Sequence, residues 1–481
     1  MNICASLTDA DSQSSLLSCS LATSQGADMV EIRFDYQKNI CTDDYIDVTI
    51  PKIATVREAS EGGRFTGTKE EKMMILSSAV DSGFDYIDIE LNENTEIFAK
   101  SAKNAKTCKI ICSHHDFVKT PPPEEIISTL KRAYEFGDIA KTAYTIQGIR
   151  DLLSLKLASE AAQNEGIKFV LIGMNELGVI TRVRANMLGS ECTFASCTQE
   201  TKSAPGQLTV QEMKRLGNDP LVCGVIGDPI SHSMSPAIHN AFMASSGING
   251  IYLPFRFSKN ELPLLPHFLS SYGIKGVNVT IPHKENILSH LDIQTDNVKE
   301  TNATNTVSVE NNLLKGYNTD IHGFDYAFCN VSLKGKNVLV AGSGGAAAAC
   351  CSFLHAKEAN IHIHSRNASK AQAMAERFRG TSLFQNELYE HRFDVLINCT
   401  PLGMKGFPLD LPFPKECILE GTVVMDVVYN PHITPLLAEA KSKGATIIPG
   451  FNMLIGQAEE SFFIFTGKKP NKGLMHEMFC T

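Results

Sequence analysis

The chain has 481 residues and a formal net charge of -9. This length exceeds one ordinary hydrophobic core and predicts two or three domains. The acidic balance, and the lack of any cluster of lysines and arginines, argue against a nucleic-acid surface and favour small-molecule partners.

Apolar runs of strand length alternate with amphipathic helical patterns in the first half of the chain. We predict eight strands, at residues 3–6, 29–33, 53–57, 86–90, 109–113, 138–143, 169–173 and 192–196. Helices are predicted between them, among them 69–82, 124–136 and 149–164. Eight such units in about two hundred residues are typical of a small (β/α)8 barrel. The segment 36–51 is short for a full helical unit, so we expect a barrel trimmed at that point.

Reactive side chains lie in or after these strands, at the barrel end where such folds build active sites. Lys141 interrupts the sixth predicted strand, and an ammonium buried there is expected to lose its charge by desolvation. A neutral amine can condense with a carbonyl to form a Schiff base. A lysine snorkelling from a strand end is the simpler alternative. The other candidates are Glu31, Arg33, Arg57, Glu61, His115, Arg182, Ser203 and Gln207.

For three of these candidates, a purely structural role is an alternative to a role in the site. Glu31 and Arg33 share one face of their strand and could form an ion pair that fills the barrel. His115, predicted to follow the fifth strand, could cap the next helix. An amine, an imidazole, three guanidiniums and two carboxylates at one barrel end would nevertheless stabilise a fold poorly. They suit the binding of a small polyhydroxylated acid.

These motifs together resemble the type I 3-dehydroquinate dehydratases of the shikimate pathway, across the whole first domain. The matching segments are 30–35, 57 with 61–63, 113–117, 141, 178–182 and 203–207. The resemblance implies that Lys141 forms an imine with the substrate ketone and that His115 acts as general base and acid. It implies that Arg182 binds the substrate carboxylate. It also implies four residues that hold hydroxyl groups of the substrate and order the loop: Glu31, Arg57, Ser203 and Gln207.

The second half opens with a hydroxyl-rich turn at 227–236 that leads into a helix. Ser233 and Ser235 lie in this turn, and each could be an ordinary helix cap. Further motifs stand at 278–284, 302–306 and 316–320, and they contain Lys284 and Asp320. A lysine held by an aspartate can protonate the alkoxide that hydride transfer makes from a ketone. A surface salt bridge is the alternative.

Residues 337–347 have the pattern of a strand, a glycine turn and the start of a helix. Gly342, Gly344 and the small Ala347 match the dinucleotide fingerprint, whose glycines let backbone amides approach a pyrophosphate. The next predicted strand, 360–364, is followed by Ser365 and Arg366 rather than by an acidic residue. This favours NADP over NAD, because a guanidinium can pair with a 2'-phosphate.

From residue 221 to the C-terminus these features resemble shikimate dehydrogenase. The resemblance implies Lys284 as proton donor and acceptor with Asp320 beside it, and places two further motifs, 398–404 and 452–458, near the nicotinamide. The implied substrate contacts are Ser233, Ser235, Thr280, Asn305, Tyr429 and Gln457. The implied cofactor contacts are Gly342, Gly344, Gly345, Ala346, Ser365, Arg366, Thr400 and Gly450. Asn367 stands where the family usually has threonine, which bears on the strength of the NADP preference.

We therefore predict an α/β protein with a TIM barrel dehydratase at 1–213, a substrate-binding domain at 219–322 and a Rossmann NADP-binding domain at 323–450. C-terminal helices at 451–481 are expected to return to the substrate domain. The predicted function is dehydration of 3-dehydroquinate followed by NADPH-dependent reduction of 3-dehydroshikimate to shikimate, with no metal. Two alternatives are a quinate-type second domain and a non-catalytic regulator that senses metabolites.

The 14 cysteines form no Cys-x-x-Cys pair, and several lie in apolar strand-like runs, which predicts buried thiols in a reducing cytosol. The N-terminus has the pattern of neither a signal peptide nor an organelle transit peptide, and no run has the length of a membrane span. We expect a cytoplasmic monomer or homodimer with no membrane or nucleic-acid partner.

Overall fold

The computed structural model describes residues 1–92, 95, 108–204, 206–231 and 233–470. Within them the chain divides into two compact units. The first comprises Met1–Leu221 and the short segments Asn249–Phe257 and His267–Gly273, and the second contains the rest. Position 205 of the motif 203–207, position 232 of the motif 227–236 and the predicted C-terminal helices after 470 lie outside the described residues.

The first unit contains a parallel sheet that is nearly closed into a barrel. Its eight strands, counted over the described residues, are β1 (Asn2–Leu7), β2 (Met29–Arg33), β3 (Lys52–Thr55), β4 (Tyr86–Glu90), β5 (Lys109–Asp116), β6 (Ile139–Thr145), β7 (Phe169–Met174) and β8 (Cys192–Ala195). Their order is β7-β6-β5-β4-β3-β2-β1-β8, and an isolated bridge joins Phe169 to Ser190 where the ring would close. The predicted barrel is confirmed, although β5 extends three residues beyond the predicted end at 113.

Helices connect the strands of this barrel. They are α1 (Ser12–Ser24), α2 (Lys69–Asp81), α3 (Pro123–Phe136), α4 (Ile149–Asn164), α5 (Val179–Val183) and α6 (Val210–Leu216). Capping boxes begin α2 at Thr68 and α6 at Thr209, each with a glutamate three residues later. Between β2 and β3, a fully described stretch, only short 3-10 turns occur, at Phe34–Tyr36 and Thr42–Tyr45. The barrel is therefore trimmed where the segment 36–51 predicted it.

The second half begins with a mixed sheet. Its strands are β9 (Leu221–Gly227), β11 (Ile274–Val279), β12 (Ile293–Gln294), β13 (Thr306–Glu310) and β14 (Leu313–Tyr317). The strand β10 (Gly250–Arg256), which comes between β9 and β11 in the chain, lies in a short segment that belongs to the first unit. From β9 onwards the order is β9-β11-β13-β14-β12, with β9 and β11 parallel and β13 antiparallel to both of its neighbours. The accompanying helices are α7 (Ser235–Ser245), α8 (Leu265–Ser271) and α9 (Asp296–Thr301).

A parallel Rossmann sheet follows, as predicted. Its strands are β15 (Asn337–Ala341), β16 (Asn360–His364), β17 (Thr381–Ser382), β18 (Val395–Asn398), β19 (Val423–Asp426) and β20 (Thr446–Ile448), in the order β17-β16-β15-β18-β19-β20. The helices are α10 (Asp320–Ala327), α11 (Gly345–Ala356), α12 (Ala368–Phe378), α13 (Pro435–Ser442) and α14 (Gly450–Thr466). The strand order reverses between β15 and β18, which is where open α/β sheets bind ligands.

Among the helices of the described residues, none combines the length and the apolar character needed to cross a membrane.

Candidate active sites

Lys141 lies on β6, and its buried ammonium faces two carboxylates. Its Nζ donates a hydrogen bond to Asp88 Oδ2 at 3.0 Å and lies 3.5 Å from Glu31 Oε1. The ring of Phe194 lies 4.0 Å from the same nitrogen. Burial disfavours the ammonium, but Asp88 and Glu31 outweigh burial and raise the pKa of Lys141. The expected loss of charge at this lysine is therefore wrong.

Asp88, which sequence reasoning missed, is the centre of this charge network. Its Oδ1 accepts hydrogen bonds from Arg57 at 2.7 Å and from the Ser113 hydroxyl at 2.6 Å. Burial opposes the carboxylate, yet Arg57 and Lys141 hold the pKa of Asp88 well below its ordinary value. Asp88 and Glu90 are separated by one residue on β4, so both side chains lie on the same face of the strand. Two acids at this spacing in an apolar strand are the signal that could have identified Asp88.

His115 lies within β5, not after it, and so it does not cap the following helix. Its Nδ1 is 2.9 Å from Glu61 Oε2. Burial, reinforced by Arg57 and Lys141, lowers the pKa of His115 well below its ordinary value. Burial also raises the pKa of Glu61 to about 8, against the opposing effect of Arg57. The imidazole is therefore neutral near pH 7 and able to accept a proton.

The structural alternative for Arg33, an ion pair with Glu31, is not observed. The Nε and NH2 of Arg33 each donate to the carboxylate of Asp35 at 2.8 Å. Glu31 instead accepts from the hydroxyls of Ser6 at 2.6 Å and Thr55 at 3.0 Å, and faces the Lys141 ammonium. Asp35 offers Arg33 both of its carboxylate oxygens, which is the geometry that a guanidinium prefers.

Arg182 lies in α5 and has unused donor capacity. Its NH1 donates to Gly173 O at 2.6 Å, but its buried Nε has no hydrogen-bond partner among the described residues. Burial lowers the pKa of this guanidinium to about 10. An anionic ligand would satisfy both the donor and the charge. After β8, the backbone and the hydroxyl of Ser203 donate to Gln207 Oε1 at 2.8 and 3.2 Å.

A second lysine–aspartate pair lies in the other unit. Lys284 Nζ contacts Asp320 Oδ2, and their side chains are 20 % and 5 % exposed, so this is not an ordinary surface salt bridge. Asn305 Nδ2 donates to Asp320 Oδ1 at 2.8 Å and approaches Gln457 Oε1 at 3.5 Å. Four predicted site residues are therefore joined in one polar network.

The hydroxyl-rich turn precedes α7. The N-cap of α7 is Met234, so neither Ser233 nor Ser235 caps it through a side chain, and the cap alternative is wrong. Ser233 Oγ accepts a hydrogen bond from the Ser235 amide at 3.3 Å. Burial raises the pKa of Tyr429, whereas a backbone hydrogen bond from Met234 lowers it, which places this phenol against the same turn. Thr280 directly follows β11.

The glycine turn after β15 leaves open space. A Cβ on Gly344, the N-cap of α11, would meet no heavy atom within 4 Å. Gly342 has φ 124°, and a Cβ there would lie 3.2 Å from Cys399 O. A Cβ on Gly345 would lie 3.4 Å from Lys284 Cβ, so the turn adjoins the ion pair. Exposed amides at a helix N-terminus fit a pyrophosphate.

The remaining candidate cofactor residues surround the carboxyl ends of the Rossmann strands. Ser365 and the exposed Arg366 directly follow β16, and Ala346 lies half-buried in the first turn of α11. Thr400 Oγ1 donates to Asn398 Oδ1 at 2.7 Å. A Cβ on Gly450, the first residue of α14, would lie 2.6 Å from a backbone oxygen, so only glycine fits. These residues fit a dinucleotide that carries a 2'-phosphate.

Four family models match the chain in order. Residues 3–218 match type I 3-dehydroquinase, and residues 225–307 match the shikimate dehydrogenase substrate binding domain. Residues 326–402 match shikimate / quinate 5-dehydrogenase, and residues 450–477 match the shikimate 5'-dehydrogenase C-terminal domain.

Known proteins resemble the whole chain or its second half. The chloroplastic bifunctional 3-dehydroquinate dehydratase/shikimate dehydrogenase of Arabidopsis thaliana is 33% identical over 509 residues, covering 98% of this chain and 83% of that protein. The shikimate dehydrogenase (NADP(+)) of Archaeoglobus fulgidus is 37% identical over 53% of this chain and 97% of its own length. A crystal structure of shikimate dehydrogenase in complex with NADP+ matches with a TM-score of 0.51 and 36% identity, over 54% of this chain and 94% of that chain.

Proposed function

This chain belongs to the family of bifunctional 3-dehydroquinate dehydratase/shikimate dehydrogenases of the shikimate pathway, and we propose that its barrel works through an imine at Lys141. The observation that carries this proposal is the placement of the Lys141 amine 3.0 Å from Asp88, in a network that also contains Glu31 and Arg57. Such a network orients the amine and stabilises the positive charge of the imine that follows.

The proposed dehydration begins when Lys141 transfers a proton to the neutral His115 and attacks the substrate ketone. His115 then returns this proton to the hydroxyl of the adduct, which leaves as water. Loss of water leaves a protonated imine, whose charge lies where Asp88 and Glu31 already stabilise the ammonium. The imine draws electrons from the adjacent carbon, so the neutral His115 can remove a proton there and return it to the leaving hydroxyl. Hydrolysis of the imine releases the product and restores the amine. Arg182 would hold the substrate carboxylate throughout.

The second unit is proposed to reduce the dehydrated product. Bound NADPH supplies the hydride. Lys284 donates the proton to the developing alkoxide, and Asp320 holds the ammonium in place. The proposed substrate contacts are Ser233, Ser235, Thr280, Asn305, Tyr429 and Gln457. The residues proposed to hold NADP(H) are Gly342, Gly344, Gly345, Ala346, Ser365, Arg366, Thr400 and Gly450.

The test supplies purified protein with 3-dehydroquinate and NADPH, follows cofactor oxidation and identifies the product by mass. Shikimate is expected. Quinate would mean that the second unit bypasses the first, and binding without turnover would support the metabolite-sensing alternative. Lys141→Ala should abolish dehydration but leave reduction of added 3-dehydroshikimate, whereas Lys284→Met should do the reverse. Undiminished dehydration by Lys141→Ala, or no borohydride adduct on Lys141 of the wild type, would overturn the imine.

We further propose that the domain limits are 1–213, 219–322, 323–450 and 451 onwards, and that the protein works in the cytoplasm as a monomer or homodimer. All 13 described cysteines are free thiols, which suits a reducing compartment. The Arabidopsis relative is called chloroplastic, so cell fractionation is the direct test of location. Recovery of the protein in an organelle would contradict the proposal.

A further inference from the structure

The carboxylate of Asp426 ends β19 and is 1 % exposed. Its Oδ1 accepts hydrogen bonds from Asn398 Nδ2 at 2.9 Å and from Val428 N at 3.0 Å. Its Oδ2 accepts from Thr434 Oγ1 at 2.6 Å. All three donors are neutral, so this buried charge is balanced by hydrogen bonds alone within the described residues.

Asn398 connects this carboxylate to the loop that follows β18. Asn398 and Asp426 are register partners at the ends of two adjacent parallel strands. The other end of the Asn398 amide, Oδ1, accepts from both the amide and the hydroxyl of Thr400, at 2.9 and 2.7 Å. A carboxylate can only accept hydrogen bonds, so it forces the NH2 group of Asn398 towards itself and the amide oxygen towards Thr400.

Val428 connects the same carboxylate to a second loop. Its amide donates to Asp426, and the next residue along the chain is Tyr429. Gly450 packs against this turn from α14, because a Cβ at Gly450 would lie 2.6 Å from Asp426 O. The turn that carries Tyr429 is thus held by the buried carboxylate and by a close backbone contact.

We propose that Asp426 is a positioning residue for the reductase reaction, holding Thr400 and Tyr429 in one arrangement through Asn398 and Val428. The inference rests on the proposed function, since it requires Thr400 to contact the cofactor and Tyr429 to contact the substrate. An apolar residue at 426 would remove the shared acceptor of three buried donors. The NH2 group of Asn398 would keep only its longer hydrogen bond to Leu402 O, at 3.3 Å, so the amide would be held less firmly against Thr400.

The test compares Asp426→Ala with Asp426→Asn in the full chain. Alanine removes every acceptor, so the KM values for NADPH and for 3-dehydroshikimate should each rise at least about tenfold. Asparagine keeps an oxygen that can accept from Asn398 and Val428, so both KM values should return to within about threefold of wild type. The dehydratase activity of the same chain measures the concentration of intact chains, and the melting temperature of the second unit shows whether the reductase is folded.

Asp394→Ala is the matched control. Asp394 also accepts from a backbone amide of the same sheet, that of Asn337 at 2.9 Å, but it precedes β18 at the opposite end. Its removal should leave both KM values unchanged. The contrary outcome is that Asp426→Ala lowers only the melting temperature or the amount of active reductase and leaves both KM values unchanged. That result would show a structural role and overturn the proposal.

Further variants keep the outcome decisive. If Asp426→Ala does not fold, Asn398→Ala tests the connection to Thr400 alone. The KM for NADPH should rise and the KM for 3-dehydroshikimate should not. An unchanged KM for NADPH would overturn the proposal.

Thr400→Ala and Tyr429→Phe separate this inference from the proposed function. If they raise KM and Asp426→Ala does not, only the positioning role fails. If neither raises KM, the proposed contacts fail as well.

Discussion

Replacing Asp88 with asparagine should lower the pKa of Lys141, because it removes the nearer of two carboxylates beside the ammonium. The separations from Nζ are 3.0 Å to Asp88 and 3.5 Å to Glu31. At an effective dielectric constant of about 20, Coulomb's law gives about 5.5 and about 4.7 kcal/mol for these separations. The substitution removes more than half of this summed Coulomb attraction, and the burial of Lys141 is unchanged. The pKa of Lys141 should therefore fall, because burial and Arg57 then oppose the ammonium and only Glu31 favours it.

The assay is the pH dependence of borohydride trapping of dehydroquinate on Lys141, read from the mass of the labelled peptide. A lower pKa increases the neutral amine, so the midpoint in Asp88→Asn should move to lower pH. Glu90→Gln is the matched control, since Glu90 lies on the same strand and forms its ion pairs with Arg57 and Lys72. The melting temperature of the barrel unit shows whether each variant is folded, and reductase activity corrects for the concentration of the chain. A midpoint that stays in place in Asp88→Asn would refute this electrostatic reasoning.

Three further changes have defined outcomes. Arg182→Lys loses the planar fork for a carboxylate, so the KM for dehydroquinate should rise about tenfold or more, and initial rates that show no rise would exclude this contact. Arg366→Ala should weaken NADPH about tenfold in titrations and NADH much less, and equal losses would contradict its role at a 2'-phosphate. Burial lowers the pKa of His239 from 6.5 to about 3. The unfolded chain therefore binds this proton first as pH falls, and the second unit should lose about 2 kcal/mol of stability between pH 6.5 and pH 5. Thermal unfolding of His239→Leu should lack this component of the pH dependence, and an equally steep dependence would argue against it.

The periodicity of apolar residues was sufficient to predict the barrel sheet and the first strands of the Rossmann sheet, but not the mixed sheet between them. The strands predicted at 29–33, 86–90 and 360–364 have these same limits in the structure. Strand and helix patterns are local properties, and the topology of a barrel or a Rossmann sheet follows from their alternation. The lysine–aspartate pair of the second unit was also predictable, because each residue stands in a separate motif of characteristic composition.

Only the tertiary structure decided the charges and partners within these sites. Asp88 and Lys141 are 53 positions apart in the chain, yet their side chains meet at 3.0 Å inside the barrel. The sign of the pKa shift at Lys141 and the choice of Asp35 over Glu31 by Arg33 depend on such distances. The sequence alone determined which strand face each side chain occupies, since that follows from a period of two. Electrostatic energies vary inversely with separation, so the balance between burial and charge could be read only from the folded chain.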